Sequence, residues 1–305
     1  MEVKQKPVIL DPYKIKFKKV INSDKFRQAA ITFEKYGYYT AYPEDTLSYL
    51  EYWKEEKRKC KEGFISEDGD YISGYFYFYL NYCPITLDKY NAKTKRTERV
   101  TGFPRFYDYD WYYYDAVEEA ERRGTHLVVI KKRGAGYSFK GGSMLARNFY
   151  MYPKSKSYAI AEETEFLVKD GLLTKAWDFM DFIDQHTAWG KKRQKKNSLL
   201  HRRASFEIDI DGKKIEKGYK SEIIGVSLKN DPQKARGKRG KLILWEEAGK
   251  FRGLKTAWQV ARPSVEGSDG TSFGLMIAYG TGGTEHAEYE SLRDLFYEPE
   301  VYNCL

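Results

Sequence analysis

Three short stretches of this chain hold residue types that could work on a phosphorylated ligand. In Lys131-Lys132-Arg133-Gly134-Ala135-Gly136-Tyr137-Ser138, basic residues lead into two spaced glycines and a hydroxyl. Glycines let the backbone approach a ligand, so that consecutive N–H groups converge on phosphate oxygens; cations neutralise the charge, and a hydroxyl at Ser138 can help hold magnesium. The spacing departs from GxxxxGK[ST], because Lys131 stands at the leading Gly position and Tyr137 where the Lys belongs. In Leu242-Ile243-Leu244-Trp245-Glu246-Glu247, two acids follow an apolar run. Adjacent carboxylates can divide their work: Glu246 binds magnesium, and Glu247 orients and deprotonates the water that attacks a γ-phosphoryl group. The third stretch, Tyr279-Gly280-Thr281-Gly282-Gly283-Thr284, offers hydroxyls and open amides, with Thr281 placed to sense a γ-phosphate.

These stretches need elements that bring them together. HLVVI predicts a strand before the basic loop and GSMLARNFYMY a helix after it; KSYAIA, KLILW and SFGLMIAYG read as further strands, separated by helices such as the one near LKTAWQVARPSV. Strands alternating with helices imply a largely parallel sheet, whose carboxyl edge gathers the three loops around one ligand. A helix is expected from about Asp110 to Arg123, closed by Gly124, and another from Glu285 to Phe296. ASFEIDI and YKSEIIGVS flank IDGKK, whose Asp211-Gly212 signals a hairpin between paired segments. Before residue 100 the texture changes to an appendage. There, Leu47, Leu50 and Trp53 form one stripe of a helix beginning at Thr46, and the aromatic run SGYFYFYLNYCPITL suits strands.

KKRGAGYS, LILWEEAG and IAYGTGG, in this order, resemble the phosphate loop, acidic strand and coupling motif of the ATPase domain of the large terminase subunit of tailed bacteriophages. The resemblance covers roughly residues 100 to 290. It implies a P-loop fold of the ASCE type, α/β with a mainly parallel central sheet flanked by helices, over residues 101–305, with residues 1–100 as an N-terminal appendage packed on it. It implies a DNA-translocating ATPase that packages viral DNA, with ATP and Mg2+ as cofactors. Lys131 then replaces the missing loop lysine, Arg133 is the loop arginine, Glu247 is the catalytic carboxylate, and Ser138 with Glu246 holds the metal. Arg236, eleven residues before Glu247, is implied as an arginine finger acting across a subunit interface. Implied partners are double-stranded DNA, a homo-oligomeric ring of five by family, the portal protein and the small terminase subunit, in the host cytoplasm. Relatives carry a nuclease domain after the motor; none is expected here. A non-hydrolysing nucleic-acid-binding module and a helicase-like ATPase are the other readings. For an adenine platform, Tyr109 and Trp111 are not distinguished.

Composition bounds these expectations. With 53 Lys and Arg against 44 Asp and Glu, the net charge is +9, which favours polyanionic partners. Lys191 to Arg203 contains seven Lys and Arg and no acid, and a second basic stretch runs from Lys229 to Lys241; both suit phosphate contacts without base choice. No apolar run reaches the roughly 18 residues of a membrane span, and the charged start carries no secretory signal. Cys60, Cys83 and Cys304 are too scattered for a disulfide framework. The comb Asp178, Asp181 and Asp184 predicts a solvated helix face, and the four histidines show no metal-ligand spacing.

Overall fold

The computed structural model describes residues 22–191, 198–281 and 286–305, without the side chains of 286–289. Its first part holds α1 (Gln28–Tyr36), α2 (Leu47–Glu62), the short strands β1 (Phe64–Ile65) and β2 (Tyr71–Ile72), α3 (Gly74–Tyr82), the ribbon β3 (Ile85–Asn91) with β4 (Arg96–Gly102), and α4 (Asp108–Arg123). There follow β5 (Leu127–Lys131), α5 (Tyr137–Met151), β6 (Lys156–Ala161), α6 (Glu165–Val168), α7 (Leu172–His186), β7 (His201–Arg203), β8 (Phe206–Ile210), β9 (Lys213–Lys217) and β10 (Glu222–Ser227). The chain continues through β11 (Leu242–Trp245), α8 (Leu254–Ala261), β12 (Leu275–Thr281), α9 (His286–Tyr297) and α10 (Pro299–Tyr302).

Six strands form one sheet in the order β5-β12-β11-β6-β10-β7, parallel except for the edge pair β10–β7. The chain leaves β5 through α5 and enters β6, skipping the places later filled by β12 and β11. The strands beside β5 thus arrive last, and the gap above their carboxyl ends is where an open α/β sheet binds ligands. Successive residues point to opposite faces. Leu242, Leu244, Leu275, Ile277 and Tyr279 enter a core shared with α3, α4, α5 and α7. Their neighbours Ile243, Trp245, Met276 and Ala278 enter a second core under α8 and α9.

Three expectations fail here for physical reasons. The aromatic run after Ser73 is helix α3, not strands; every residue from Gly74 to Tyr82 is buried, and a helix that is apolar all round is stable where it is wrapped on all sides. Its start is set by the Ser73 side chain, which accepts from the Phe76 amide at 3.3 Å. In α2, Leu47 and Leu50 are exposed at 69% and 61%, and the buried stripe is Trp53, Glu56 and Cys60. Glu56 can lie inward because the Tyr77 and Tyr82 hydroxyls donate to it at 2.7 and 2.5 Å. The Asp211-Gly212 turn does make a hairpin, but it joins β8 to β9, while Glu222–Ser227 pairs in parallel with β6. The helix expected from Asp110 begins at Asp108.

The residues before 100 contribute Phe76, Phe78 and Leu80 to the same core as α5 and α7. Arg147 of α5, fully buried, stacks its guanidinium 3.7 Å from the Tyr75 ring and donates to the Cys60 and Lys61 carbonyls at 2.7 and 3.0 Å. The three cysteines are buried and unbridged, and no described helix is long and apolar enough to cross a membrane.

Candidate nucleotide site

The basic loop leaves β5 at Lys131, which sits in register with Thr281 at the end of β12. Gly134 and Gly136 adopt φ of 75° and 71°, and nothing lies within 4 Å of a side chain added at either. Their need is therefore conformational: an L-residue in this left-handed region costs roughly 1–2 kcal/mol. Gly136 caps α5 without a side chain, and among the described residues no acceptor meets the amides of Gly134 to Ser138. A row of unsatisfied N–H groups at a helix start attracts an anion.

The two acids reach this loop by different means. Glu246 continues the alternation of β11 and faces α5, where its Oε1 accepts from Ser138 Oγ at 2.6 Å. It is 3% exposed, and among the described residues its Oε2 has no hydrogen bond of good geometry, though the Tyr279 hydroxyl lies near the carboxyl. Burial pushes its carboxyl up to about 7, against the downward pull of the Ser138 and Tyr279 hydroxyls; the Glu247 charge pushes up further. Alternation would turn Glu247 to the opposite face. Instead its φ of 49° breaks the strand, a left-handed conformation unusual for Glu, and its Oε1 meets Lys131 Nζ at 2.8 Å. Strained backbone thus brings adjacent carboxylates to one cleft. Behind them Gly280 is obligatory for packing: a Cβ there would lie 2.6 Å from the Gly249 amide, so β12 and the turn after Glu247 touch backbone to backbone.

The cleft has a volume of about 700 Å³. Lys131, Arg133, Gly134, Ser138, Glu246, Glu247 and Thr281 line it. Lys132, Ala135 and Gly136 do not, and Arg236 stands exposed on the turn after the 3-10 helix Pro232–Ala235. Residues 282–284 of the third stretch lie outside the described residues. Tyr137 turns away from the cleft; its ring meets those of Tyr113 and Tyr279 at 4.9 and 5.6 Å. Its contribution to a ligand is thereby limited to its amide.

Sequence reasoning missed the opposite wall, formed by Glu165, Phe166, Lys169, Asp170 and Gly171, and also Lys250. The wall follows β6, whose end carried no motif, so its only available signal was strand order. It also missed Lys140, 1% exposed, whose ammonium pairs with Asp110 Oδ1 at 2.6 Å and donates to the Ala135 carbonyl at 2.8 Å. Burial lowers the Lys140 pKa and raises that of Asp110, each opposed by the other's charge. A lysine inside a helix that starts with a glycine loop was the available signal.

Ser138 Oγ beside a buried, half-satisfied Glu246 is an all-oxygen donor pair, and such a set fits magnesium, which takes one or two protein oxygens and keeps its remaining ligands from water and phosphate.

No family model matches the sequence, and no curated protein does. Among solved structures, the HK97 bacteriophage large terminase superposes with a TM-score of 0.51 over 76% of this chain, at 12% identity. The fold is that of a phage large terminase. This chain spans 42% of the HK97 terminase, so the likeness concerns part of that protein. Two looser likenesses are also to terminases. The Thermus phage P74-26 ATPase domain gives a TM-score of 0.37 and 17% identity over 54% of this chain and 62% of that one. The large terminase of a thermophilic bacteriophage in complex with ADP gives 0.38 and 11% over 59% and 39%.

Proposed function

We propose that this chain is a Mg-ATP-hydrolysing motor domain that drives double-stranded DNA into a viral procapsid. The observation that carries this reading is the convergence, at one cleft, of Gly134 and Ser138 from a loop whose amides meet no acceptor among the described residues, the Ser138–Glu246 pair and the strained Glu247. A triphosphate would lie along the amides with Arg133 beside it. Lys131, now bound to Glu247, would turn toward the phosphates and release that carboxylate to accept a proton from the attacking water. Magnesium held by Ser138 and Glu246 would neutralise charge on the β- and γ-oxygens. Thr281, joined to β12, would pass the change to the backbone contact at Gly280. Tyr109 suits the base: it is 53% exposed and its ring is 5.1 Å from Lys140 Nζ under the loop, whereas Trp111 is packed between Phe106 and Tyr112.

A load of DNA fits a surface at the opposite edge of the sheet. Lys57 and Lys191 lie over the Tyr219 ring at 5.6 and 4.6 Å, and Lys61 and Lys241 over Tyr152 at 5.4 and 4.7 Å. Burial lowers the pKa of Lys57 and Lys191, helped by the Lys61 charge on Lys57 and by the Lys57 charge on Lys191, where Asp184 opposes it, so a polyanion there relieves like charge. Of the two basic stretches, the first is partly committed within the fold: Arg202 pairs with Asp181 and Arg203 with Glu216 and Glu222, and residues 192–197 lie outside the described residues. Arg236, exposed, suits a finger acting on a neighbour in a ring, for which five copies, a portal and a small subunit are the expected company.

Steady-state ATP hydrolysis at high protein concentration tests this reading. Wild type should turn over ATP and Glu247→Ala should not; equal rates would remove Glu247 from its role, and no turnover by wild type would leave a non-hydrolysing nucleic-acid-binding module. Arg236→Ala alone should be slow, and mixing it with Glu247→Ala should restore some activity at hybrid interfaces. Full activity of Arg236→Ala ends the finger.

A further inference from the structure

The phosphate loop has a buried support on the side away from the cleft. Lys140 leaves α5 one turn after Gly136, and its ammonium reaches back under the loop to the Ala135 carbonyl at 2.8 Å. It is fixed there from three sides: Asp110 Oδ1 of α4 lies at 2.6 Å, and the rings of Tyr137, Tyr109 and Tyr113 surround it at 4.1, 5.1 and 5.6 Å. In a trans peptide the C=O and the following N–H point in opposite directions. A cation that holds the Ala135 carbonyl inward therefore turns the Gly136 amide outward, away from the core. None of the loop amides has an acceptor of its own, so nothing else in the described residues fixes that peptide's orientation.

From this geometry we infer that Lys140, held by Asp110, is a positioning residue that pre-sets the Ala135–Gly136 peptide for phosphate binding. It acts from behind and does not touch the ligand. Tyr137 occupies the loop position where a phosphate-contacting lysine would stand, and its ring closes over the Lys140 ammonium. Ordering the loop before the ligand arrives spares the cost of fixing it during binding. The inference rests on the nucleotide reading above.

The test measures affinity for Mg-ADP and for a non-hydrolysable ATP analogue, together with thermal unfolding, for the full chain and for Lys140→Met, Asp110→Asn and the double variant. Lys140→Met leaves Asp110 buried and unpaired, so it should lower the melting temperature; the double variant removes both charges and should melt close to wild type. The double variant should still bind nucleotide at least tenfold more weakly, whereas Asp110→Asn, which keeps the lysine under Ala135, should stay within about threefold. A double variant that binds like wild type, or an Asp110→Asn loss equal to that of Lys140→Met, would overturn the inference. Should the lysine variants not fold, NMR of the Lys140 ammonium in wild type decides. Its protons should exchange slowly both with and without Mg-ADP, and their release on adding nucleotide would show a lysine that leaves Ala135 for the ligand. Wild type that binds neither nucleotide would instead sink the nucleotide reading itself.

Discussion

The two ends of β5 carry buried charge in opposite states. At its foot, His126 is fully buried and every polar atom around it is matched: Nδ1 accepts from the Met276 amide at 3.2 Å, and Nε2 meets Glu266 at 3.0 Å. Since Nδ1 accepts, the proton sits on Nε2 and the ring is neutral; burial holds the His126 pKa down, against Glu266. Glu266 also accepts from Arg262 at 2.8 Å and Asn303 at 3.0 Å, and these partners hold its carboxyl at about 2 in spite of burial. At the head, past Lys131, a row of amides lacks acceptors and Glu246 keeps one oxygen without a hydrogen bond of good geometry among the described residues, and Glu247 is strained. A network that is complete without a ligand holds the fold. At the head only Glu246 is comparably buried, while the loop amides and Glu247 are partly open to a ligand, and this is how a structural site and a binding site are told apart.

Breaking the head should disturb chemistry and spare the fold. Glu247→Gln keeps the side-chain shape and removes the proposed base; turnover should fall by roughly 10²–10⁴, with nucleotide affinity and melting temperature near wild type, as steady-state kinetics and calorimetry would show. Breaking the foot should do the reverse. His126→Ala leaves Glu266 and the Met276 amide short of a partner, an expected loss of about 1–3 kcal/mol in denaturant unfolding, while nucleotide affinity in the folded fraction stays unchanged.

Proton linkage sharpens the contrast. With a folded value near 7 for Glu246 against the ordinary 4.5, the folded state binds more protons than the unfolded chain between those values, so stability falls as pH rises through that window and levels off above it. Glu246→Gln should thus raise the melting temperature of the ligand-free protein at pH 8 and change it little at pH 4. On the proposed reading, magnesium bound at Glu246 would have to displace the same proton. Magnesium-dependent nucleotide binding should weaken by about fivefold from pH 7 to pH 6 and vary little above pH 8, as titration calorimetry would detect. The His126 foot runs the other way: a histidine buried neutral gives up stability as pH falls through the unfolded value near 6.5. The smallest effect concerns DNA. Replacing Lys57, Lys61, Lys191 and Lys241 by Gln should flatten the dependence of log affinity on log salt by about 0.9 for each phosphate the surface no longer neutralises, with nucleotide binding unchanged.

Much of the head was legible before any fold was known. Lys131, Gly134, Ser138, Glu246 and Glu247 announce themselves because a phosphate site needs glycine, cation, hydroxyl and carboxylate in short runs after apolar strands. Period-two strands and the Asp211-Gly212 turn were equally local. The foot was silent: His126, Arg262, Glu266 and Asn303 come from distant places in the chain and match no spacing. The aromatic run of α3 misled because an apolar segment of nine residues has the same composition in a buried helix as in a strand, and only its surroundings choose between them.

Local chemistry and periodicity, which depend on neighbours within a few residues, thus determined which loops could hold a phosphate and which segments became the sheet. Strand order, the left-handed turn that brings Glu247 beside Lys131, the inward rotation of Tyr137 and the placement of Lys140 under Ala135 were decided only by tertiary structure. Each of these depends on contacts between residues far apart in the chain, and on the low-dielectric interior that makes an unmatched charge costly.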